Sequence, residues 1–146
     1  MPATPDKELK VYSLKKDQTL QQAVSAYQKA HQDVFVKYEV GMSGENGLTA
    51  EDAIKALNTE IMAGNGPGVI MLDGLPIESY LAKGMLADLS ENLKAVEEKE
   101  EFFDNITRVY EEDGKIYAIP TRFRIPLLMG NEEFVSNICL LYTSPS

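Results

Sequence analysis

Apolar and polar positions alternate over residues 9–14, where Leu9, Val11 and Ser13 are separated by Lys10 and Tyr12. Period two predicts a strand. The period then lengthens. Leu20, Val24 and Tyr27 recur at i, i+4 and i+7, a single apolar stripe on a helix. Thr19 and Gln22 form a T-x-x-Q pattern that predicts its capping box. Lys29 and His31 fall in its last turn, where the helix dipole favours positive charge. "VFVKYEV", Val34–Val40, is rich in β-branched and aromatic residues and predicts a second strand. The loop "GMSGENG" follows. A second helix is expected to open at Thr49, with Glu51 and Asp52 in its first turn. Ile54, Leu57 and Ile61 form its buried face, and Gly64 stops it.

"VIML", residues 69–72, is apolar at every position, as expected of a central strand covered on both faces. Asp73-Gly74 ends it. Pro76 suits the first turn of a short helix reaching Gly84, with Leu86, Leu89 and Leu93 packing nearby. Residues 97–110 read as a further helix with Phe102, Phe103, Ile106, Val109 and Tyr110 inward. Asp113-Gly114 signals a tight turn, "KIYAI" a strand, and Pro120 a break before an extended "TRFRIPLLMGN". The order β-α-β-α-β-α-α-β implies right-handed crossovers and an α/β fold with a doubly wound, mostly parallel sheet.

Length and charge narrow the classes. At 146 residues the chain suits one domain with one core. A net charge of −9, without a Lys/Arg stripe, argues against a nucleic-acid or anionic-membrane surface. No run approaches the ~20 apolar residues of a membrane helix. A single cysteine excludes an internal disulfide framework. "PATPD" reads as part of a linker over residues 1–8, and no signal peptide pattern is visible.

Ligands of open α/β sheets meet the loops beyond the carboxyl ends of the strands. Those loops hold Tyr12-Ser13, Gly41-Met42-Ser43-Gly44 and Asp73-Gly74. Hydroxyls, exposed backbone N–H groups and one carboxylate suit hydrogen bonding to a polar, uncharged ligand. Asp73 has a second candidate role, capping the following turn or the helix at Pro76.

Enzyme signatures are weak. "GMSGENG" lacks the G-x-G-x-x-G spacing, and "AGNGPG" lacks the Lys-Ser/Thr of a phosphate loop and follows a helix. "EEKEEFFD" places Glu97, Glu98, Glu100 and Glu101 on a solvent face rather than pairing them for acid–base work. No Cys/His cluster has metal-ligand spacing, no cofactor motif is present, and Ser43 has no partner base, since His31 is the only imidazole and reads as a surface cap.

From residue 56 to residue 90, "ALNTEIMAGNGPGVIMLDGLPIESYLAKGMLADLS" resembles the extracellular solute-binding proteins of ABC importers, in the group that mostly takes carbohydrates. The later "DGKIYAIPTRF" and the opening "LKVYSL" and "AVSAYQKAHQDVFVKYEVG" fit the same pattern over residues 9–134. One departure is Gly68, where the family has aspartate, and it is expected to loosen the turn into the third strand.

The resemblance implies the first of two α/β lobes. A solute, most often a sugar, is gripped between them and the closed form is presented to a membrane permease. No chemistry and no cofactor is implied. It places Ser13, Ser43, Gly44, Asp73 and Gly74 at the cleft, and Arg122, Phe123 and Arg124 near the hinge or cleft. There an arginine either binds a sugar hydroxyl or an acidic sugar, or forms a surface or inter-lobe salt bridge. It further implies a cell-envelope or extracellular protein, anchored as a lipoprotein. The competing class is an α/β enzyme domain acting on a sugar or nucleotide. The last eight residues, "CLLYTSPS", match one reading frame of a transposon-type sequencing adapter. Residues 135–146 are therefore expected to be a non-native tail, and Cys139 carries no redox argument.

Overall fold

The computed structural model describes residues 7–44, 47–100, 108–122, 131 and 133. In chain order the elements are β1 (Lys7–Ser13), α1 (Gln18–Ala30), β2 (Val34–Val40), α2 (Ala50–Met62), β3 (Val69–Met71), α3 (Ile77–Ala82), α4 (Ser90–Glu97), β4 (Glu111–Glu112) and β5 (Lys115–Ile116). β1, β2 and β3 form one parallel sheet in the order β2-β1-β3. This is the α/β arrangement that the alternating pattern predicts.

Among the described residues the strand order differs from expectation: β1 is the middle strand, and β3 lies beside it with Val69 44% exposed. The crossover through α1 steps to one side of β1, and the return through α2 carries the chain past β1 to the other. "VIML" is apolar throughout because its residues still alternate between faces. Ile70 and Leu72 pack against the main core cluster, and Val69 turns the other way.

That cluster holds Tyr12, Leu14, Ala53, Leu57, Leu75 and Tyr80, with Met42, Ile54, Ile61, Met85 and Leu86 packed around it. It joins α2 and α3 to the Tyr12 face of the sheet. α2 forms as expected. Thr49 and Asp52 close a reciprocal capping box, Ala53 and Leu57 are buried, and Gly64 follows the last turn with φ +77°.

α1 covers the opposite face, but it begins earlier than the Thr19-Gln22 pattern predicts. Asp17 is the N-cap, and its Oδ1 accepts the Leu20 N–H at 2.8 Å. With the cap two residues upstream, Gln21 N–H already bonds Asp17 O at 3.0 Å, so Thr19 lies inside the helix. At the other end His31 is the C-cap, exposed and stacked on Tyr27 with centroids 4.0 Å apart. Gln28 leans over the rim of β2. Its Nε2 donates to Val34 O at 2.6 Å and its Oε1 accepts from Val36 N–H at 2.8 Å. One side-chain amide thus occupies the pair of backbone groups that a further strand would take.

The second half departs more from the pattern. α4, Ser90–Glu97, forms where only packing leucines were expected; of the helix expected over 97–110, residues 101–107, with Phe102, Phe103 and Ile106, lie outside the described residues, and Val109 and Tyr110 are 62% and 39% exposed rather than inward. The start of α4 has a local cause. Asp88 Oδ1 accepts N–H groups from Ser90 at 3.0 Å and Ile116 at 3.2 Å, and Leu89 N–H donates to Ile116 O at 2.7 Å. "KIYAI" pairs only at Lys115–Ile116, antiparallel to Glu111–Glu112 across the Asp113-Gly114 turn. The turn at Gly68 is tied to β1. The Gly68 N–H donates to Lys10 O at 2.9 Å, and an added Cβ would stand 3.0 Å from Leu9 Cδ1.

Candidate functional site

The carboxyl ends of three parallel strands come together on one side of the sheet, with the loops after β2 and β3 flanking that after β1. The β1 and β2 loops stay tied beyond the strands. Gly41 N–H donates to Ser13 O at 2.9 Å and Met42 N–H to Leu14 O at 2.8 Å. Gly41 lies directly over the buried Tyr12 ring. A Cβ there would fall 2.0 Å from Tyr12 Oη and 2.9 Å from Cζ, so only glycine lets loop and ring approach this closely.

Beyond this point the loop opens to solvent. Ser43 and Gly44 are exposed, and Gly44 has φ +83° with open space around it. After β3, Leu75 N–H donates to Leu72 O at 2.9 Å, closing a tight turn with Gly74 at φ +78°. That turn presents Asp73 and Gly74 to water. α3 has no side-chain cap, so Asp73 does not serve the capping role open to it at Pro76.

Ser13 sits differently. It is 1% exposed; its Oγ donates to Lys15 O at 2.7 Å and lies 2.6 Å from Tyr38 Oη. Its position at the strand end is as expected, while its hydroxyl is committed within the lobe. Arg122 pairs with Asp17, its guanidinium reaching Oδ2. Phe123 and Arg124 lie outside the described residues. The structure therefore brings Ser43, Gly44, Asp73 and Gly74 to one open surface and places Ser13 and Arg122 in internal bonds.

Two residues the pattern did not single out are central here. Asp17 joins the α1 cap to Arg122, and the Leu20 amide first, then Arg122, hold its carboxyl below the ordinary aspartate range. Tyr38 accepts the Asp17 N–H at 3.2 Å. The legible signal was Asp17 as a cap-type residue before the α1 stripe; Tyr38 looked like one more β-former.

The surface offers a hydroxyl, a carboxylate and turn amides, a set suited to holding a polar molecule. Nucleophilic chemistry would need a base nearby, and His31 sits at the opposite end of α1, where the chain enters β2. Among the described residues no group of three His, Cys, Asp or Glu side chains could hold a metal ion. The "AGNGPG" glycines turn the chain after α2: Gly64 N–H donates to Ile61 O at 3.0 Å, and a Cβ on Gly66 would fall 2.8 Å from Ile61 Cγ1.

A family model described as bacterial extracellular solute-binding protein matches residues 22–135. No curated protein matches the chain. Among solved structures, a family 1 extracellular solute-binding protein from Alicyclobacillus acidocaldarius subsp. acidocaldarius DSM 446 is similar over 81% of this chain, at 23% identity and a TM-score of 0.57. One from Bifidobacterium longum subsp. infantis is similar over 78%, at 19% identity and a TM-score of 0.53. CpMnBP1, solved with mannobiose bound, is similar over 77%, at 20% identity and a TM-score of 0.51. At these identities the likeness shows the fold. The matched regions span 28%, 27% and 29% of those three chains.

Proposed function

This chain belongs to the bacterial extracellular solute-binding protein family, and from that premise we propose that it forms one wall of a cleft that takes a carbohydrate for an ABC permease. The family is one of binding proteins rather than enzymes. The observation that carries the reading is the pair of exposed turns, Ser43-Gly44 and Asp73-Gly74, on either side of the β1 end. A sugar presents hydroxyls that both donate and accept. Asp73 accepts from a hydroxyl pair, Ser43 does both, and turn N–H groups donate.

In this reading a second lobe, beyond the segment through Arg122, supplies the other wall. A ligand touching both walls favours the closed state by its differential affinity for that state. The mannobiose in CpMnBP1 supports a carbohydrate as the solute class. Delivery to a permease and a lipoprotein anchor at the cell envelope belong to the same proposal.

Calorimetric titration of a two-lobed protein containing this chain, against an oligosaccharide panel that includes mannobiose, tests it. Saturable binding without product formation is expected. Asp73→Asn is expected to weaken it by about tenfold or more, since a charged acceptor is worth roughly twice a neutral one. Turnover of a panel member, or silence across the panel, would overturn the carbohydrate reading.

A further inference from the structure

The hydroxyl contacts behind the β1 loop have only one consistent direction. Ser13 Oγ has a single proton and donates it to Lys15 O at 2.7 Å. At the 2.6 Å contact between the two hydroxyls Tyr38 must then be the donor and Ser13 the acceptor. Tyr38 Oη in turn accepts from Asp17 N–H at 3.2 Å. The relay runs from the Asp17 amide through Tyr38 and Ser13 to the Lys15 carbonyl. Both ends land on one short loop, and Tyr38, rooted in β2, staples it.

Asp17 carries the effect outward. Its side chain is 12% exposed, Oδ1 holds the α1 N-terminus through Leu20 N–H, and Oδ2 holds Arg122. The guanidinium is 105 residues further along, on a side chain that is 61% exposed, and this pair ties it to the start of α1. Arg122 follows the buried Ala118 and the break at Pro120.

We propose that Tyr38 is a positioning residue: through Ser13 and the Asp17 backbone it sets the carboxylate that fixes where the Arg122 guanidinium is held. Tyr38 touches no ligand in this account. It determines how the Arg122 guanidinium is held against the start of α1, and this relay does not rest on the binding reading above.

The test uses this chain without ligand, so a failure of the sugar reading leaves it unaffected. Amide exchange is followed by NMR at Asp17, Leu20 and Ala53, together with the side-chain guanidinium signals of Arg122. In Tyr38→Phe the Asp17 amide loses its acceptor and is expected to exchange about tenfold faster, the equivalent of one net hydrogen bond. The Arg122 signals are expected to collapse toward those of Asp17→Asn. The Ala53 amide, bonded to Thr49 O at 3.1 Å on the other face of the sheet, is expected to keep its rate. Ser13→Ala removes the acceptor of the Tyr38 proton and is expected to act in the same direction to a smaller extent, which covers the case in which Tyr38→Phe does not fold. Unchanged Asp17 and Arg122 signals in the variants that fold would overturn the proposal. So would acceleration at Ala53 by the same factor, because that would mean general loosening rather than positioning.

Discussion

Gly41 is where a single atom matters most. Its missing Cβ leaves room for the Tyr12 hydroxyl, and inserting a methyl group into such a contact costs about 1–3 kcal/mol. Gly41→Ala is expected to lower the unfolding free energy from urea titration by that much. Adding Tyr12→Phe should recover part of the loss, because the nearest clashing atom goes with the hydroxyl; strictly additive losses in a double-mutant cycle would contradict the contact. Tyr80 makes the opposite case. It is 1% exposed, and its hydroxyl has no partner among the described residues, while burial pushes its phenol pKa up. Tyr80→Phe removes a buried polar atom without breaking a bond. Equilibrium unfolding should find it neutral or stabilising by up to about 1 kcal/mol, and a clear loss would reveal a partner.

Among elements, helix starts carry the pH response. The Asp17, Asp52 and Asp88 carboxyls all sit below the ordinary aspartate range. Asp17 and Asp88 are held there first by backbone amides at the starts of α1 and α4, of Leu20 and Ser90. Asp52 is held first by the Thr49 hydroxyl in the α2 capping box. A depressed folded value means that the charged form is favoured in the folded state. The stability they contribute is complete above the unfolded value near pH 4 and is lost as pH falls below it, through the folded values. Unfolding followed from neutral to acid pH should therefore show a declining midpoint in that window. Asn at all three positions should flatten the decline. Asp88 has a second duty, since it also bonds β5. Asp88→Ala is expected to speed exchange at the Ile116 amide while leaving the parallel sheet protected. Equal loss in both would mean that the hairpin is not a separate element.

At the scale of the whole molecule, the polar groups of the described residues divide into committed and open ones. Ser13, Tyr38, Asp17 and Arg122 bond among themselves, whereas the turns holding Ser43 and Asp73 face water. A solute bound between two lobes adds RT ln(1 + [L]/Kd) to stability, about 2.7 kcal/mol at a hundredfold excess over Kd. A two-lobed protein containing this chain should show a ligand-dependent rise in Tm with a bound oligosaccharide, and Asp73→Asn should reduce the rise. A Tm unchanged by saturating ligand would be inconsistent with binding between lobes.

The order of strands and helices, the opening of α2 at Thr49 and its stop at Gly64 were legible along the chain, because each depends on neighbours three or four residues away or on a period of two. The solute-binding resemblance was legible too, in the run from residue 56 to residue 90. Sequence separation hid the rest. That β1 is central depends on which side each crossover takes. The start of α4 depends on Asp88 reaching Ile116, 28 residues on, and the state of Ser13 and Arg122 on contacts spanning 25 and 105 residues. A serine and an arginine read alike as ligand groups or internal partners until the fold decides what stands within hydrogen-bond reach. A buried polar group must then take whatever partner is there. Local spacing determined the elements of this protein, and only the tertiary structure decided which of its polar side chains remain free to meet a ligand.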